Sequence, residues 1–232
     1  MRIDRAIGPA ALAVVLLTSC GKDEATPPLD LGYAYFPVKV GHYVDYQVDT
    51  VWRNDITNIS DSLTYFLREV IEEDFVDLEG RPSQRIMLYV QDSLGVWVVR
   101  DVWAQTRYVT GAERTEENLR LQKLIFGIAT GKKWDLNARN AQAAYEVTYD
   151  AVDVPWTANG LAFDSTVVVR STFLNNLVDT DIHTEHYAKG VGLVFKYREV
   201  SNTQTIYQPP NPPYQEVVGT KLTMTVIGYG EL

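Results

Sequence analysis

Cysteine is almost absent from the 232 residues: Cys20 stands alone, so no internal disulfide can form. Histidine is nearly as scarce, with His42, His183 and His186 the only three. A metal site needs His, Cys, Asp and Glu converging at coordination distance. The run His183-Thr184-Glu185-His186 is the one candidate. Read as a strand, it sends the two imidazoles to opposite faces roughly 10 Å apart, so structural or solvated histidines are expected. Basic residues are in deficit, 21 Lys and Arg against 30 Asp and Glu, a formal charge of −9. That balance excludes the basic patch on which nucleic-acid binding rests. No apolar run reaches the roughly 20 residues of a membrane-spanning helix. Also missing are a Gly-x-Ser-x-Gly elbow, a glycine-rich phosphate loop and a nucleotide fingerprint. Carboxylates are plentiful, but Glu72-Glu73-Asp74 and Glu116-Glu117 are neighbours in sequence. A glycosidase pair must face across a cleft, so these acids are expected at solvated edges. No catalytic residue, metal or cofactor is assigned, and a non-enzymatic protein is expected.

What is present begins with an address. Met1 to Arg5 carries two arginines, Ala6 to Leu17 is apolar apart from Gly8 and Pro9, and Thr18-Ser19-Cys20 closes the run. A basic start, a short apolar middle and small residues at a cut site form a secretory signal peptide. Leu17-Thr18-Ser19-Cys20 resembles the lipobox of bacterial lipoproteins. The resemblance implies cleavage between Ser19 and Cys20, acylation of the Cys20 thiol by diacylglycerol, palmitate-type chains included, and attachment to a membrane through that lipid. Lys22-Asp23-Glu24 resembles the charged export signal of Bacteroidetes-type surface lipoproteins, which implies the outer membrane and its outer leaflet rather than the periplasmic face. Cleavage removes two arginines and one aspartate, leaving 213 residues with a formal charge of −10. The expected organisation is a signal peptide over 1–19 (a signal helix), a lipidated tether over 20–31 and a single β domain over 32–232.

The domain reads as period-two alternation, the mark of half-buried strands. Val44, Tyr46 and Val48 alternate with Asp45, Gln47 and Asp49, and Tyr145, Val147 and Tyr149 with Glu146, Thr148 and Asp150. Val218, Leu222, Met224 and Val226 alternate with Lys221, Thr223 and Thr225, with Thr220 interrupting. Further strands are expected over 63–73, 84–91, 96–108, 165–173, 182–187 and 193–200. Turns fall at Asp77 to Pro82, Asp92 to Gly95, Asn175-Asn176 and Lys189-Gly190. About nine strands on short turns predict an all-β antiparallel meander, as a strongly curved sheet or half-barrel, or as a sandwich. Glu113 to Lys123 fits a helical turn or an edge strand, and Asn137 to Ala144 a short helix.

The segment from Phe36 to Asp45 aligns without gaps to Phe126 to Asp135, repeating Phe, an aliphatic, Gly, an apolar residue and Asp at one spacing. Two related halves, about 32–125 and 126–232, would explain it, and so would chance. Three blocks, YFPVKVGHYVDYQVD from Tyr35, LIFGIATGKKWDLNARN from Leu124 and EHYAKGVGLVFKYRE from Glu185, resemble segments of uncharacterised Bacteroidetes-type surface lipoproteins. The chain departs from that pattern at Val44, where Trp is usual, at Leu136 for Gly and at Gly127 for Pro. The resemblance implies an address and an architecture and no activity. Asp-Ser/Thr-aliphatic triplets put candidate O-glycosylation at Thr50, Ser62, Ser93 and Ser165. The loop from Gln208 to Tyr214, with four prolines, is expected as a stiff connection between strands.

The function expected is that of a lipid-anchored outer-membrane protein presenting a β domain for binding or assembly, with a protein, glycan or lipid as ligand. The alternative is a lipid or glycan carrier that uses a concave sheet face. A carrier requires a continuous apolar concavity, an enzyme convergent carboxylates or a histidine in a cleft, and an interaction module a filled core with an exposed aromatic patch.

Overall fold

The computed structural model describes residues 29–171 and 174–232. The signal peptide, Ser19, Cys20 and Lys22-Asp23-Glu24 therefore lie outside the described residues, as does the end of the strand expected to reach Phe173. Twelve strands form one antiparallel sheet: β1 (His42–Asn54), β2 (Ile59–Val76), β3 (Pro82–Gln91), β4 (Trp97–Tyr108), β5 (Gly111–Glu116), β6 (Leu119–Ile125), β7 (Lys133–Asp135), β8 (Glu146–Ala158), β9 (Leu161–Ser171), β10 (Asp179–Ala188), β11 (Gly192–Ile206) and β12 (Tyr214–Glu231). Every neighbour in the sheet is a neighbour in sequence except one. β12 pairs with β1, from His42 opposite Glu231 to Asn54 opposite Val218, which curls the meander into a nearly closed barrel.

The two ends of the sheet, β6 and β7, meet at a seam without a ladder. The Gln122 amide donates to Leu136 O (2.8 Å) across it. Trp134 Nε1 donates to Gln122 O (2.8 Å), and Asn140 Nδ2 to Arg120 O (2.9 Å). Backbone groups that a strand would have paired are thus satisfied by side chains.

The turn chemistry is local. Asp77 and Asp92 each accept backbone amides two and four residues on, and Gly80 and Gly95 close these turns at φ near 77°. Asn159-Gly160, both at positive φ, joins β8 to β9, and Glu117-Asn118 joins β5 to β6 in the same way. Two expectations are corrected here. Asn137 to Ala144 is a series of turns and not a helix, because its asparagines bond the backbone: Asn137 Nδ2 donates to Ala143 O and Asn140 Oδ1 accepts from the Gln142 amide. Glu113 to Lys123 is the β5–β6 hairpin at the end of the sheet, so its edge-strand reading is the one realised. The only helical element among the described residues is a 3-10 turn at Tyr33–Tyr35.

One end of the barrel is shut. The chain from Leu29 to Gly41 runs beneath it and buries Tyr35 and Phe36. The Gly127 amide donates to Leu31 O and the Gly190 amide to Ala34 O, while Arg107 reaches Tyr33 O and Phe36 O. A β-carbon on Gly32 would lie 2.5 Å from Ile128, and one on Gly192 3.1 Å from Pro37, with both glycines near φ 90°. All three blocks that carry the family resemblance meet at this base. The two lead-ins of the internal echo also share their bonding. Gly41 donates its amide to Ile71 O and Gly131 to Tyr149 O, each over 2.8 Å, and six strands follow each turn.

Candidate ligand-binding site

Alternation along the inner face decides what lies within the barrel. Next to the base, Tyr46, Ile86, Val147, Tyr149, Val167 and Val169 are almost wholly buried and fill the interior. Farther from the base none of the described residues fills the interior, and a cavity of about 540 Å³ opens toward the loops at 117–118 and 136–145. This lies within the roughly 300–1,000 Å³ range of small-molecule sites. Leu67, Leu88, Leu121, Leu222 and Met224 form an apolar stretch of its wall, with Tyr65 and Trp103 beside them and Arg100, Asp101, Glu117 and Arg198 also on the lining. A second hollow of about 390 Å³, beside Phe75, Arg85 and Val102, lacks a floor of buried charges.

The floor of the larger cavity is a layer of charged side chains crossing the lumen. Lys123 Nζ lies 2.6 Å from Glu185 Oε1 and 3.1 Å from Glu116 Oε1, and Lys196 Nζ lies 3.0 Å from Glu116 Oε2 and 3.8 Å from Glu185 Oε1. Two acids and two bases therefore alternate around a ring. Tyr187 donates its hydroxyl to Glu185 Oε2 (2.6 Å), and Arg114 donates to Glu69 Oε2 (2.9 Å) alongside. Burial pushes the Glu116 carboxyl up, but Lys123 and Lys196 outweigh it and hold the group at about 2. Glu185 likewise stays well below the carboxylate range against its burial, chiefly through Lys123. Burial works against the Lys196 ammonium too, and Glu116 and Glu185 raise it nonetheless. His183, at the edge of the layer, is pulled down by burial, which the Glu185 charge 3.6 Å away opposes. Two floor atoms, Glu69 Oε1 and His183 Nε2, are buried without a hydrogen-bond partner among the described residues.

The residues singled out from the sequence fall elsewhere or play other parts. His183 faces inward and His186 outward, where His186 packs between Trp156 and Phe195. Burial and the nearby Arg170 lower His186 to about 4. His42 is buried at the base, its Nε2 2.9 Å from Val191 O. Among the described residues no group of three or more His, Cys, Asp or Glu converges as a metal site, and no helix is long and apolar enough to cross a membrane. Of the glycosylation candidates, Ser62 and Ser93 are exposed, Thr50 Oγ1 donates to Leu63 O, and Ser165 is tied to Asp153 and Tyr35 at the base. Glu72 and Glu73 are exposed on β2, as expected. Glu116 corrects the solvated-edge reading: it is buried in the layer because the β5–β6 turn points it inward, while Glu117 stays outside. Glu69, Lys123, Glu185 and Lys196 were not foreseen. Each sits at an inward position of its strand, Glu69 between Leu67 and Ile71 and Glu185 between His183 and Tyr187. A charge on the apolar side of an alternating strand is the signal that marks them.

No family model matches the chain, and no curated protein sequence matches it. Among solved structures, a crystal structure of a domain provisionally assigned to outer membrane lipoprotein sorting in Vibrio parahaemolyticus aligns over 82% of this chain and 85% of its own. Its identity to the chain is 8% and its TM-score 0.20, so the likeness carries no statement about this protein.

Proposed function

We propose that the chain is a lipoprotein held at the outer membrane through Cys20, on the cell surface, and that its barrel binds an amphiphilic ligand without transforming it. The observation that carries the binding reading is the cavity of about 540 Å³, with leucine walls and a charged floor, inside an otherwise packed barrel. Of the alternatives set out from the sequence, the carrier required such a concavity. The floor does bring together buried carboxylates and His183, the arrangement set out as an enzyme's, but Glu116 and Glu185 are each occupied by lysines, which supports a role without turnover. Glu116 and Glu185 are buried acids, yet their lysines hold them ionised, so neither has a proton to donate at neutral pH. The address rests on the lipobox resemblance and on the tether. The tether's last residues join the barrel at its shut end, where Asp30 pairs with Lys189.

One preparation tests both parts. Cys20→Ala protein is expected in the soluble fraction where the unaltered protein pellets with membranes. That soluble protein should brighten N-phenyl-1-naphthylamine, an uncharged dye, saturably at one site. Leu222→Trp, which fills the cavity, should abolish the signal. Pelleting of the Cys20→Ala protein would remove the anchor, and unchanged dye binding by Leu222→Trp would remove the cavity.

A further inference from the structure

The cavity floor is charged yet balanced. Glu69, Glu116 and Glu185 stand against Arg114, Lys123 and Lys196, three formal charges of each sign. Each cation already faces a carboxylate and each carboxylate a cation. An anionic head drawn to Lys196 would meet Glu116 at 3.0 Å from the same nitrogen, and a cationic head drawn to the glutamates would meet Lys123 and Lys196. A hydrocarbon end pressed on the floor would strip water from these groups and return no hydrogen bond. The unused bonding capacity is of both kinds. Glu116, about one-tenth exposed at its side chain and lining the cavity, keeps carboxylate lone pairs beyond those that Lys123 and Lys196 use. Lys196 Nζ has three N–H groups, lies about one-fifth exposed on the cavity side and spends one hydrogen bond on Glu116. An ammonium only donates and a carboxylate or sulfate only accepts, whereas a hydroxyl does both.

Resting on the reading that the cavity binds an amphiphile, we propose that its ligand is a neutral amphiphile with a polyhydroxylated, sugar-like head. The head enters first and lies on the charged layer, with hydroxyls donating to the Glu116 carboxylate and accepting from Lys196 Nζ. The apolar chain then runs along Leu67, Leu121 and Leu222 toward the open end.

The test titrates the Cys20→Ala chain, kept free of other detergent, with three probes of one chain length below their micelle concentrations: octyl β-D-glucoside, octyl sulfate and octyltrimethylammonium. By calorimetry the glucoside should bind at least about tenfold tighter than either charged probe, the effect of leaving one or two buried polar groups unpaired. Lys196→Gln leaves one carboxylate in excess and should move the ratio of octyltrimethylammonium to octyl sulfate affinity up by about tenfold, and Glu116→Gln should move it down by as much. A charged probe that equals the glucoside on the unaltered floor overturns the head-group assignment, as does a ratio that neither substitution moves. The ranking on the unaltered floor decides the matter even if either variant fails to fold. Dye binding without binding of any of the three probes overturns this inference alone. Loss of dye and probes together overturns the cavity reading beneath it.

Discussion

The same strands build two unlike halves of one barrel. Along β2, Ile71 packs into the filled lower half, Glu69 belongs to the charged layer, and Leu67 and Tyr65 line the open upper half. β12 repeats the sequence with Val226 below and Met224 and Leu222 above. The inward side chains above and below differ little in type, so apolar character alone does not decide which half fills. The difference comes from outside the ladder. The segment from Leu29 to Gly41 folds under the lower half and seals it, and among the described residues no equivalent segment covers the upper half. A barrel of this girth holds more space than its own inward side chains fill, and the added segment decides where that space is left.

Breaking the layer between the halves should have the largest effect. Lys123→Met leaves Glu185 and Glu116 buried with one lysine between them, and should destabilise by about 3–5 kcal/mol in urea unfolding, since an uncompensated buried charge remains. Acid reaches the same layer without mutation. Glu116 is held at about 2 in the fold, below its ordinary 4.5, so the unfolded chain takes the proton first as pH falls. The stability it contributes is complete above pH 4.5 and disappears toward pH 2, of order 3 kcal/mol for this group. Glu185 acts in the same direction. His186, held at about 4, adds an acid loss of its own that begins near pH 6.5, because the unfolded chain protonates there first. An unfolding series from pH 7 to pH 2 should show continuous loss, and a flat profile below pH 4.5 would mean the layer is not ionised. The smallest effect distinguishes the halves most directly. Ile86→Ala in the filled half should cost about 2–5 kcal/mol, while Leu222→Ala on the cavity wall should cost less than about 1 kcal/mol, since no close packing is lost there. Equal costs would show the upper half to be packed as well.

Much of the sheet was legible from side-chain alternation. Val44-Tyr46-Val48 and Val147-Tyr149 face inward as their period demands, and His183 and His186 part to opposite faces. Short and polar strands were not legible. β5 and β6 hide in a charged run because Lys196 and Glu185 satisfy Glu116 and Lys123 from across the lumen, an arrangement no local pattern announces. The Asn159-Gly160 turn carried a usable hairpin signal. β7, three residues long, pairs with β8 over Lys133 to Asp135, while Trp134 and Asn140 tie its free side to β6. The candidate site was hidden for a related reason. Glu69, Lys123, Glu185 and Lys196 come from β2, β6, β10 and β11, and only closure of the sheet brings them into one layer.

That closure depends on the last strand to be made. β12 pairs along its length with β1, which is synthesised some 170 residues earlier, and with β11. Until Tyr214 to Glu231 emerges, both of those strands present open hydrogen-bonding edges, the feature that templates aggregation. Joining ends so far apart is costly mainly in time, since loop-closure entropy grows only with the logarithm of length. A nascent chain of this protein therefore spends most of its synthesis with the outer edge of β1 exposed.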